Sequence, residues 1–153
     1  MIILGVYTYN HTGTRNWKIL SVDNQYLAFD LKYPDGWEIS NFEPMGRIYF
    51  QKQGVIIDDD GEISSIWQNP TEKNLNEYYS HLISTNDIKS YSLIKSNLNG
   101  IPCFEVKVYS DNSPNYFVSY HINAKGKNYQ IAYTKNLISD SNAEKFLSSI
   151  RFH

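Results

Sequence analysis

The chain has 153 residues, with 14 Lys and Arg against 16 Asp and Glu and a formal net charge of −2 at pH 7. That balance predicts neither the basic footprint of a nucleic-acid binder nor attraction to an anionic membrane surface. The length suits one domain, residues 1–153, with a sizeable core, and no stretch approaches the ~18 apolar residues of a membrane span.

A single cysteine, Cys103, rules out an internal disulfide. Thirteen tyrosines tilt the composition toward sheet. Residues 1–7 are apolar but lack a basic leader and are too short for a signal-peptide core. Residues 1–16 therefore read either as an extra strand and polar loop or as the remnant of an export segment. Asn10-His11-Thr12 in that loop fits a glycosylation sequon. Trp17 to Val22 reads as a strand, and Asp23-Asn24 turns it into a second. In that second strand Leu27, Phe29, Leu31 and Tyr33 alternate with Ala28, Asp30 and Lys32, the period of a half-buried strand. Pro34, Asp35 and Gly36 stop it, and Trp37 opens the next segment.

Short strands follow at Arg47 to Gln51, Gly54 to Ile57 and Glu62 to Gln68, separated by turn residues. Asn69 as cap, Pro70 at the first helical position and Glu72 three residues after the cap predict a helix start. Leu75, Tyr78, Tyr79, Leu82 and Ile83 form its apolar stripe, and it should run to about Ser84. Four segments then read as a meander: Ile88 to Ser96, Ile101 to Tyr109, Tyr116 to Asn123, and a strand carrying Tyr129, Ile131 and Tyr133. Ser141-Asn142-Ala143-Glu144 is a capping box that opens a closing helix with Phe146, Leu147 and Ile150 turned inward. The order of strands, helix, strands, helix predicts an α+β fold: a central antiparallel sheet flanked by helices.

Several of these segments together resemble the PsbP-like family. They are Phe29-x-Leu31-x-Tyr33-Pro34-x-Gly36-Trp37, Leu75-x-x-Tyr78, the stretch Asn99 to Val106, Tyr129 to Tyr133, and Phe146-Leu147-x-Ser149-Ile150-x-Phe152. The family includes the extrinsic subunit of photosystem II, a Ran-binding import factor and uncharacterised prokaryotic secreted proteins. The resemblance implies an α/β/α sandwich, a binding or assembly role without catalysis, and an extracytoplasmic or cell-surface location. No position matches a photosystem-binding or Ran-binding motif. Membrane association is expected only by way of an N-terminal anchor missing from this sequence.

Chemistry-bearing residues are sparse. Asp58, Asp60 and Glu62, in the acidic run Asp58-Asp59-Asp60-Gly61-Glu62, offer oxygen ligands for a weakly held divalent cation. Ile56 and Trp67 stand where an EF-hand requires acids, so a solvated hairpin turn is the competing reading. His11, His81, His121 and His153 lack zinc-motif spacing. His121 lies on the strand face opposite Tyr120 and is expected to be partly exposed. Cys103 would serve as a nucleophile only if His121 reached it. The expectation is a non-catalytic binding or assembly module with an unknown protein partner, no nucleic acid, no catalytic residues and no cofactor beyond that cation. The alternative is a small-ligand or metal-ion-binding domain with a pocket between sheet and helix. A hydrolase ranks last.

Overall fold

The computed structural model describes residues 3–9, 17–33, 36–43, 46–52, 61–110, 116–134 and 140–153, with backbone alone for 3–9, 40–43, 51–52 and 140–142. In chain order the elements are β1 (Ile3–Tyr9), β2 (Trp17–Asp23), β3 (Ala28–Tyr33), β4 (Trp37–Glu43), β5 (Arg47–Lys52), β6 (Gly61–Ser65), α1 (Glu72–Ser84), β7 (Ser90–Leu98), β8 (Ile101–Tyr109), β9 (Tyr116–Ala124), β10 (Lys127–Thr134), α2 (Asp140–Ser148) and β11 (Arg151–Phe152). The expected hairpin of β2 and β3 is present, with Leu20 opposite Leu31 and Val22 opposite Phe29. Asn24 closes it as an Asx turn, its Oδ1 accepting from the N–H groups of Tyr26 and Leu27. The meander of β7 to β10 also forms. Its two-residue turns at Asn99-Gly100 and Lys125-Gly126 hold positive φ at both residues, the twist that tight hairpins favour.

The single central sheet does not form. The strands divide into two antiparallel sheets, β1-β2-β3-β11 and β4-β5-β6-β10-β9-β8-β7. The molecule is mostly β, and the helix-flanked α/β/α sandwich is corrected accordingly. The division falls at the corner between Tyr33 and Trp37, where Gly36 has a φ of 82°. Both aromatic residues are buried in one shared core, yet their strands belong to different sheets. Period-2 alternation fixes which face of a strand is apolar. It is silent on which strands share its hydrogen bonds.

The two sheets face each other across that core, as in a β-sandwich. Leu20, Val22, Phe29 and Leu31 from the small sheet meet Ile48, Phe50, Ile63, Ile122, Tyr129 and Ile131 from the large one. Tyr33 packs on Phe50 with ring centres 5.6 Å apart, and Phe29 stands edge-on to Tyr129 at 6.2 Å. The Tyr129 hydroxyl is fully buried but satisfied. It accepts from the Ala28 N–H at 3.1 Å and faces the Ala28 carbonyl at 3.4 Å. Helix α2 joins this same side: Phe146 packs against Phe50 at 5.7 Å, and Asn99 Nδ2 donates to the carbonyls of Leu147 and Ile150 at its end.

Helix α1 covers the opposite face of the large sheet, where Leu75 and Tyr79 pack on Val106 and Val108. Its start lies two residues later than expected. Thr71 is the cap, accepting from the Asn74 N–H, while Asn74 Oδ1 accepts from the Thr71 N–H. Asn74 Nδ2 also holds the Asn69 carbonyl at 2.7 Å. Asn69 and Pro70 are thereby left in the approach to the helix rather than inside it. The buried stripe is narrower than the five predicted positions: Tyr78 and Ile83 are exposed.

Candidate functional site

Under α1, the outer face of the large sheet carries a row of Phe104, His121 and Gln130, directly opposite one another on β8, β9 and β10. One step along, Val106, Ser119 and Ala132 form the next row on the same face. Tyr79 comes down from the helix onto both rows. Its hydroxyl lies 2.8 Å from His121 Nε2. Gln130 Nε2 donates to Ser119 Oγ at 3.5 Å. Two polar pairs, Gln130 with Ser119 and Tyr79 with His121, thus lie side by side beneath the helix.

His121 is not partly exposed as expected. Its relative exposure is 3%, because Tyr79 and the start of α1 lie across it. Burial lowers its pKa to about 4, so the imidazole is neutral near pH 7. Among the described residues its Nδ1 has no hydrogen-bond partner. Burial likewise pushes the Tyr79 hydroxyl well above the ordinary tyrosine range.

Two clefts border this histidine. The first, about 240 Å³, runs between α1 and the sheet and is lined by Trp67, Pro70, Leu75, Tyr78, His121 and Gln130, among others. The second, about 280 Å³, lies beyond Pro70 and is bordered by Lys95, Pro102, Phe104 and Asn123. Pro70 and His121 belong to both. At the mouth of the first, Trp67 is 90% exposed and Tyr78 52%. The sequence places Trp67 inside a strand running to Gln68, but β6 ends at Ser65. The Ile66 N–H makes one more bond, to the Asn128 carbonyl at 2.9 Å, and Trp67 then projects beyond the ladder.

Cys103 and His121, singled out in the sequence, both border the second cleft. Asp58 and Asp60 lie outside the described residues, as do Gly54 to Ile57 and the sequon at Asn10. Glu62 is on β6, with Oε1 3.2 Å from Arg47 Nε. Among the described residues no group of three or more His, Cys, Asp or Glu stands close enough to hold a metal ion. Cys103 lies opposite Ile122, whereas His121 lies opposite Phe104, so thiol and imidazole point to opposite faces of the sheet. The thiol sits in the inter-sheet core, and burial raises its pKa to about 11. On that inner face, the Tyr120 hydroxyl donates to Glu105 Oε2 at 3.0 Å. Burial, with Glu105 adding to it, keeps that tyrosine protonated.

No protein-family model matches the chain. No curated protein matches it either. Among solved structures it is similar to a crystal structure from Bacteroides thetaiotaomicron VPI-5482, with 19% identity and a TM-score of 0.49. The match covers 82% of this chain and 45% of that one, so the chain spans less than half of that protein's length.

Sequence reasoning missed Trp67 and the pairing of His121 with Tyr79. A signal for the first existed: Trp67 stands just before Asn69-Pro70, where a ladder must end. Nothing local signals the second, because Tyr79 and His121 are 42 residues apart.

Proposed function

We propose that the chain is a non-catalytic binding domain that engages its ligand or partner at the Trp67 cleft, where the chain enters α1. The observation that carries this reading is Trp67 itself, at 90% the most exposed large hydrophobic among the described residues. A tryptophan held off the surface contributes little to the core, and large aromatic side chains supply much of the binding energy at recognition surfaces. Beside it Tyr78 adds a second exposed ring, and Gln68 and Gln130 line the cleft with amides. Absence of catalysis is supported by the disposition of the reactive groups. The Cys103 thiol is protonated and faces the inter-sheet core, while His121 Nε2 is engaged by Tyr79.

The cleft is small beside the roughly 300–1,000 Å³ of pockets that enclose drug-sized ligands. It therefore suits a small molecule, or one protruding unit of a larger partner. The resemblance to PsbP-like proteins implies the same class of role, though the two-sheet architecture departs from the sandwich it led us to expect. Among the described residues no helix is long and apolar enough to cross a membrane. A fragment screen by protein-observed NMR tests the reading. Hits should shift the Trp67 indole N–H and the Gln130 side-chain amide. Hits confined to other surfaces would overturn it.

A further inference from the structure

We infer that two copies of this chain join through the free edge of β7, their β7 strands antiparallel and centred on Leu93. The large sheet ends in two edge strands, β4 and β7. β4 is blunted, because its ladder to β5 shifts register between Ile39 and Asn41. β7 is nine residues long and pairs with β8 in unbroken register from Ser90 to Leu98. Among the described residues no strand covers its outer side. Such an edge is a template of backbone donors and acceptors for another chain. The adjoining turn fixes which residues present them. Its two residues, Asn99 and Gly100, both have positive φ, so Leu98 and Ile101 close the hairpin as a hydrogen-bonded pair. Ser96, Ile94 and Ser92 face β8 in the same way at every second step. Tyr91, Leu93 and Lys95 therefore turn their backbone groups to the open side.

The side chains along this edge fit a second copy in one register. With Leu93 on the two-fold axis, Lys95 of each copy stands opposite Tyr91 of the other. Tyr91 is already held in place: its hydroxyl donates to Asn76 Oδ1 at 2.7 Å, and its ring packs on Tyr79 with centres 5.3 Å apart. An ammonium group beside a fixed tyrosine ring is attracted to it. The neighbouring registers lack this match. Centring on Lys95 sets two ammonium groups opposite each other, and centring on Ser92 sets Lys89 against Lys95. Centring on Ile94 puts Lys95 against Leu93. On the face of the sheet that carries Glu105, the Leu93 register brings the two Ile94 side chains together diagonally across the axis. Ile94 is 53% exposed in the single chain, so pairing covers an apolar side chain that the fold leaves in water. The contact is the same on both copies and uses up the edge in each, so the assembly closes at two.

The test follows the full chain by sedimentation equilibrium and by NMR amide exchange across a dilution series. Concentrated protein should sediment as a dimer and return to monomer on dilution. The amides of Tyr91, Leu93 and Lys95 should be protected only in the dimer, while those of Ser92 and Ile94 stay protected throughout. Ile94→Lys changes an exposed side chain and sets like charges across the axis. It should weaken the dimer about tenfold and leave the circular dichroism unchanged. A chain that stays monomeric with those three amides unprotected would overturn the proposal. So would a dimer in which they exchange freely, or one that Ile94→Lys leaves as tight as before. The series is repeated with an acidic peptide of extended sequence added. If the peptide protects the three amides of a chain that is otherwise monomeric, the second copy falls as the occupant and the edge stands as a docking strand.

Discussion

Lowering the pH should unfold this protein through His121, and the size of the effect follows from where the ring sits. An unfolded histidine titrates near 6.5, and the buried ring near 4. Below pH 6.5 the unfolded chain therefore takes up a proton that the folded chain refuses. The stabilisation is complete above pH 6.5 and is lost as pH falls toward 4. The pKa difference makes the loss about 2 kcal/mol by pH 5 and about 3 kcal/mol by pH 4. Burial is nearly complete, so solvent screening does not reduce this much. Urea denaturation at pH 7, 5 and 4, for the natural chain and for His121→Phe, isolates the contribution. All other ionisable groups are shared by the two proteins and cancel in the comparison. The natural chain should lose about 2–3 kcal/mol more than the variant between pH 7 and pH 4. Equal losses would mean that His121 is hydrated or charged in the folded state, and the account of the polar pairs under α1 would be wrong.

Three further outcomes are expected. Tyr129→Phe removes the hydroxyl that meets both backbone groups of Ala28 and should cost about 1–3 kcal/mol in thermal or chemical denaturation. Thr71→Ala removes the cap of α1 and should cost about 1 kcal/mol, read as a lower melting temperature with earlier amide exchange over residues 72–76. Cys103, buried with its thiol pKa raised to about 11, should resist alkylation at pH 8 in the folded protein and react promptly once urea unfolds it.

Local chemistry made much of the fold legible. The alternation of Phe29, Leu31 and Tyr33 marked a buried face. Asn99-Gly100 and Lys125-Gly126 marked turns that only residues tolerating positive φ accept readily. Phe146, Leu147 and Ile150 marked the inner side of α2. The division into two sheets was illegible because it depends on which strands meet across long separations. The Gly36 corner looks the same whether the chain re-enters one sheet or crosses to another. The site was harder to read than the fold. Exposure of Trp67 depends on β6 ending three residues early, and burial of His121 depends on Tyr79 lying over it. A histidine in an alternating strand carries no mark of what will cover it. The acidic run drew notice because carboxylates have recognisable chemistry; Glu62 pairs with Arg47, and Asp58 and Asp60 lie outside the described residues.

The link between Tyr129 and Ala28 joins residues 101 apart in the chain, and Ile122, Ile131 and Phe146 of the same core lie similarly far downstream of the β2–β3 hairpin. A ribosome adding about 5–20 residues per second needs roughly 5–20 s to supply those partners. Until then Leu20, Val22, Phe29 and Leu31 can have only the part of their cover that Ile48, Phe50 and Ile63 supply, so the nascent hairpin is a natural client for holding chaperones until β9, β10 and α2 emerge.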